Sequence, residues 1–244
     1  MINALAFIRE PVSFFGICKI YPPTVREVLV NQSLFDQYNS LLTMSHEDIE
    51  DEYIDKKKDL KDIISPYQYL FNIIEKNEEF VKAAFKFFIK EDVTFIQDEK
   101  LIIIGSLENS LVSISELKQL RIIHEGIYFE FQNILRTALG RNIIEAPNPN
   151  EHPKVKQMKA KARYRDRIKA KRGLSLSLPS SLVCICCMGI GLTPLNIGEI
   201  SYAAINPLIE VYQSRESYDI GVKQLIAGAD AKKVDLKYWI ANIE

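Results

Sequence analysis

Helix-start chemistry recurs along this chain, and no other feature restricts its fold so much. Pro22-Pro23 precedes Thr24, and Glu27 follows three residues later. At that spacing the threonine hydroxyl accepts from the amide three residues on, and the glutamate carboxylate accepts from the threonine amide. Two amides that a helix start leaves bare are satisfied together. Ser113 with Glu116 repeats the pattern. Ser45 with Asp48 opens an acidic helix that ends at Lys56-Lys57-Lys58, an order of charge that suits the helix dipole. Ser65-Pro66 sets a cap residue before a proline at the first helical position. Asn77 and Asp235 are further cap candidates, and Thr193-Pro194 with Asn196 and Glu199 marks another start.

Apolar residues follow these starts at helical spacing. Leu34, Tyr38, Leu41 and Leu42 fall at i, i+4, i+7 and i+8, and Phe80, Ala84, Phe87 and Phe88 repeat that interval. Leu70, Ile73 and Ile74 form the stripe behind Ser65, and residues 127–139 continue as helix towards Gly140. One stretch breaks the period. Val93 to Ile96 and Leu101 to Ile104 are β-rich runs around the polar Gln97-Asp98-Glu99-Lys100, which predicts a hairpin. Gly189, Gly191 and Gly228 mark helix ends. Pro207 would cost roughly 3 kcal/mol inside a straight helix, so a kink or break is expected there.

The expected fold is therefore mainly α with a small β-hairpin, an α+β chain. Ala146 to Pro153 holds three prolines in eight residues, which excludes helix and strand alike. That divides the chain into an N-terminal helical domain (1–145, with its hairpin near 93–104), a Pro-rich hinge (146–153), a basic helix (154–172) and a C-terminal helical unit (173–244).

Charge is balanced overall, 31 basic against 32 acidic side chains, and gives no global drive towards nucleic acid or anionic membrane. Locally it is not balanced: acid dominates 46–55 and base dominates 154–172. The longest apolar stretch, Leu182 to Leu192, is about half the ~20 residues of a membrane span. Met1 to Phe15 has no basic segment before an apolar block, so no signal peptide is expected. Three of the four cysteines (18, 184, 186 and 187) crowd one apolar run, which favours reduced thiols acting as small buried hydrophobes in a cytosol.

No pattern carries catalysis. His46, His124 and His152 are the only histidines, and no G-x-S-x-G elbow accompanies them. Gly189-Ile190-Gly191 lacks the rest of a phosphate loop. The acids of 47–55 lack the spacing and central glycine of a calcium loop and are expected as an exposed face. Cys184, Cys186 and Cys187 lack the paired ligands of a zinc site. The expectation is a non-enzymatic chain with no catalytic, cofactor or metal residues.

Binding is the remaining class. The basic segment offers Arg163, Arg165, Arg167 and Lys169 to phosphate. Its charges recur at i+2, however, which spreads them around a helix, and only Tyr164 offers a stacking surface. A solvated or protein-facing helix is the favoured alternative. For protein contact the candidates are Phe80 and Phe87, then Tyr212, Arg215, Tyr238 and Trp239, since Trp, Tyr and Arg are enriched at interface hot spots. The same residue types also build cores.

Several pieces, in order, resemble the tail assembly chaperones of long-tailed bacteriophages of Gram-positive hosts. They are Ile20-Tyr21-Pro22-Pro23-Thr24-Val25-Arg26-Glu27-Val28, the stretch Tyr38 to Asp48, and the hairpin before a helix at 93–124. The basic run before Ser180-Ser181, the segment Asn206 to Tyr218, and Ala227 to Lys233 with Tyr238-Trp239-Ile240 complete the set. The resemblance covers most of the chain and implies a virion-assembly role in the host cytoplasm. Its implied partners are the tape measure protein and the tail tube protein, with a second copy of the chain as a further candidate. A structural virion component of baseplate or neck, and a nucleic-acid binder acting through 154–172, are the competing expectations.

Overall fold

The computed structural model describes residues 10–56, 63–105, 121–144, 152–171, 177–230 and 234. These residues form eight α-helices and five short strands, so the chain is mainly α with a small antiparallel β part. The hinge at 146–151, the Ser113–Glu116 pair, Asp235 and the pair Tyr238–Trp239 lie outside the described residues.

Strands β1 (Val12–Phe14) and β2 (Cys18–Ile20) make a hairpin that the sequence did not announce. Phe15 and Gly16, at φ 47° and 73°, carry its tight turn, closed by the Ile17 amide donating to the Phe14 carbonyl at 2.7 Å. The predicted capping box then starts α1 (Val25–Val30): Glu27 N–H donates to Thr24 Oγ1 and Thr24 N–H to Glu27 Oε2. Asn31 breaks the helix, and α2 (Gln32–Leu42) begins with a new phase. Phe35, Tyr38, Leu41 and Leu42 are buried, while Leu34, expected on that face, is 43% exposed.

Ser45 and Asp48 cap α3 (His46–Asp55), and Ser65 caps α4 (Pro66–Ile89) with proline at its first position. Asn77 leaves helical geometry (φ −155°, ψ 73°) in mid-rod, and its Oδ1 accepts from the Phe80 amide at 3.2 Å. The cap expected at Asn77 thus exists inside one kinked element. Strands β3 (Val93–Ile96) and β4 (Leu101–Ile104) pair in register about the four-residue turn, as expected. A third strand, β5 (Ile122–Ile123), adds to β4. It leads to α5 (Glu125–Ala138), whose end is marked by Gly140 at φ 67°.

The first core draws on residues 14–139 and centres on α4. Phe14, Phe35, Phe71, Phe85, Phe88 and Phe131 are fully buried, and the Phe85 and Phe131 rings stack at 5.7 Å. Each such side chain contributes about 1.5–3 kcal/mol by leaving water. The basic helix α6 (Pro153–Lys171) lies against α3. Helix α7 (Leu178–Cys187), single 3-10 turns at Ile197–Glu199 and Tyr202–Ala204, and α8 (Ile205–Ile226) complete the described chain.

A smaller second cluster unites Leu182, Ile185, Ile197 and Ile205 with Val25 of α1. Backbone bonds tie it to the first: Val25 N–H donates to Ile200 O at 3.0 Å, and Tyr202 N–H to Pro23 O at 2.9 Å. The Tyr202 ring meets Phe35 edge-on at 4.9 Å. Gly140 sits so close to Ala203 that a Cβ there would fall 2.8 Å from the Ala203 carbonyl oxygen.

Two expectations need correction. Pro207 makes no kink, because it stands in the first turn of α8, where its missing amide is not required. Cys184 and Cys187 are exposed, since they lie on the outer side of α7 while Leu182 and Ile185 face inward. Among the described residues no helix is long and apolar enough to cross a membrane.

Candidate functional site

The acidic and basic segments that stand apart in the sequence meet in space. Ala160, Arg163, Tyr164 and Arg167 share one face of α6, following the i, i+3, i+4 rule. Arg163 bonds Glu50 and approaches Glu47 at 3.3 Å. Arg167 bonds Asp51 and reaches Asp48 at 2.9 Å and Glu47 at 3.2 Å, and the Tyr164 hydroxyl donates to Asp55. The acids of α3 are therefore not the exposed face expected of them: the Glu50 side chain is 2% exposed. Burial raises the Asp48 carboxyl, but hydrogen bonds from Ser45 and the charges of Arg167 and Arg136 outweigh it and hold the group below its ordinary value.

This interface sorts the phosphate-binding candidates. Arg163 and Arg167 are committed to carboxylates of the same chain. Arg165 points outward and is exposed, as are Lys154 and Lys161, and the Lys169 side chain lies outside the described residues. The i+2 recurrence does spread charge around the helix: among its described basic side chains Arg163 and Arg167 turn inward, and Lys154, Lys159, Lys161 and Arg165 are exposed.

The protein-contact candidates divide in the same way. Phe80 and Phe87 are half-buried against the first core: Phe80 meets Tyr38 at 5.3 Å, and Phe87 meets Phe35 at 6.0 Å beneath the Lys90 ammonium. Tyr212 and Arg215, by contrast, stand beside a cleft of about 300 Å³ between the end of α7 and α8. Met188 and Ile220 give it apolar walls, and Glu216, Asp219 and Lys223 give it charge. Glu216 accepts a 2.8 Å bond from the Tyr212 hydroxyl, which raises that phenol above its ordinary value and keeps it a donor. Elsewhere on the same two helices Val183 of α7 is exposed and Ile226 of α8 is 82% exposed.

The histidines have local structural duties. His124 Nδ1 accepts from the Gly126 amide at 3.1 Å and caps α5, and His152 Nδ1 accepts from Lys154 at 3.3 Å. His46 lies 3.8 Å from Glu50. No group of three or more His, Cys, Asp or Glu side chains among the described residues is arranged to hold a metal ion. Comparison of the chain with protein-family models, with curated proteins and with solved structures finds no match.

Proposed function

We propose that this chain is a non-enzymatic bacteriophage morphogenesis protein, a tail assembly chaperone that grips the tape measure and tail tube proteins in the host cytoplasm. The observation that carries the reading is the α7–α8 cleft, where Tyr212, Arg215 and Ile220 of α8, a helix that buries little of itself, stand with the apolar Met188 at the end of α7. A long apolar helical client needs such a place: an aromatic and a guanidinium to anchor it, beside aliphatic walls that accept its side chains. The ordered resemblance from Ile20 to Ile240 supplies the biological setting.

The test is a pull-down of purified tape measure segments and tail tube protein on the immobilised chain. Binding that falls at least about tenfold in Tyr212→Ala plus Arg215→Ala is expected, since hot-spot residues are worth about 2 kcal/mol or more. Failure of every segment to bind refutes the reading. Mass spectrometry of purified virions separates a chaperone, which is absent from particles, from a baseplate or neck component, which is present.

A second reading has its own observation. The outward face of α6 carries Lys154, Lys161 and Arg165 exposed. A nucleic-acid ligand there predicts affinity that falls steeply with salt and is lost on charge reversal of Arg165.

A further inference from the structure

Where α3, α5 and α6 converge lies a cavity of about 370 Å³ that the α7–α8 cleft does not touch. Arg136, Arg141 and Arg167 contribute three guanidinium groups to its lining, against the carboxylates of Glu47 and Asp48. Those two carboxylates are spent. Asp48 Oδ2 accepts from the Ser45 amide at 2.8 Å and from its hydroxyl at 2.6 Å, while Oδ1 takes Arg167. Glu47 divides its oxygens between Arg163 and Arg167.

Arg136 and Arg141 are left with neutral partners. Arg136 Nε donates to the Asn142 carbonyl at 2.8 Å and Nη1 to the Thr43 carbonyl at 3.0 Å. Arg141 Nη1 donates to Thr43 Oγ1 at 3.1 Å. Among the described residues neither has a carboxylate within ion-pair distance. Two bonds hold the Arg136 plane and one anchors Arg141, and each keeps further N–H donors. Burial first, and then the neighbouring Arg141, lowers Arg136 below the usual guanidinium range, against the opposing pull of Asp48 and Glu47. The N-terminal end of α3, opening at Ser45, adds its dipole to the same wall.

We propose that this cavity binds a small oxyanion, a phosphate or carboxylate group, held between Arg136 and Arg141. Guanidinium forks match the oxygen spacing of both groups and bind them through paired N–H donors. Ile143 and Ile144, on the adjoining wall, give an apolar seat to the body that carries the anion.

The experiment is isothermal titration of the full chain with inorganic phosphate and, separately, with succinate, both against chloride of matched ionic strength. Saturable binding of one anion per chain is expected, and the tighter of the two names the class. Arg141→Gln should weaken it at least about tenfold, the usual loss for one charge-assisted pair. That arginine is exposed and bonds only Thr43, so circular dichroism and Tm without ligand should match the parent. Arg165→Gln, on the outer side of α6, should bind like the parent. Absence of saturation by either anion at ~10 mM, or equal affinity in parent and Arg141→Gln, overturns the proposal.

Discussion

Helices α4 and α8 are nearly equal in length, 24 and 22 residues, yet α4 buries nine residues and α8 buries two, Ile205 and Gly221. Helix α4 spends its aromatic side chains on a core shared with the hairpins, α2 and α5. Helix α8 rests on α7 over its first turns and then presents Arg215, Glu216, Asp219 and Ile220 outward. Stability is concentrated in the first helix and available surface in the second. A chain that must hold its own shape while accepting a partner gains from this separation, because the contact face can change without loosening the core.

Substitutions sharpen that contrast, beginning with the core. Phe85→Ala removes a ring stacked on Phe131 and packed near Phe95, and should cost about 3–5 kcal/mol in urea unfolding. Gly140→Ala attacks the joint between the two clusters. It places a Cβ against Ala203 and forces a side chain into positive φ, with an expected loss of about 1–3 kcal/mol. Hydrogen exchange should then rise across 200–226 before it rises in α4. Unchanged exchange in α8 would show that the joint does not hold it.

Acid should act on the α3–α6 contact. Asp48 titrates below its ordinary 3.8 when folded, so the unfolded chain takes up that proton first as pH falls. Its contribution is complete above about 3.8 and is lost as pH falls through the folded value. Asp48→Asn should flatten the fall of unfolding free energy between pH 5 and 2. An unaltered slope would remove Asp48 from the account. The smallest effect belongs to α8: Tyr212→Ala should shift stability by no more than about 0.5 kcal/mol, since that side chain packs on no core. A larger loss would mean that α8 carries structural weight.

The parts of this architecture that depend on residues three or four apart were readable from the chain. Thr24–Glu27, Ser45–Asp48 and Asn77 cap as their spacing requires, and the β3–β4 turn falls between its two apolar runs. Leu34 departs from expectation because the buried stripe of α2 centres on Phe35, Tyr38 and Leu42, which leaves Leu34 at its edge, and i+4 spacing alone does not choose between Leu34 and Phe35. The β1–β2 hairpin hid behind a turn built from Phe15 and Gly16 instead of the usual Asn-Gly. Arg163 and Glu50 are 113 positions apart, so periodicity could not join them. The opposite charge of 46–55 and 154–172 is the clue the sequence offers, and charge alone does not say that two segments meet. Arg136 and Arg141 gave no sign, because their role depends on where α3 happens to start beside them.

The backbone bonds between Val25 and Ile200, and between Pro23 and Tyr202, carry a consequence for the order of events at the ribosome. Translation proceeds at about 5–20 residues per second. The first core can close once Leu139 has emerged, but the Val25 amide and Pro23 carbonyl must then wait seconds for their partners. Helix α1 is made well before residues 200–202, and the nascent chain carries an open seam along it until the second cluster arrives.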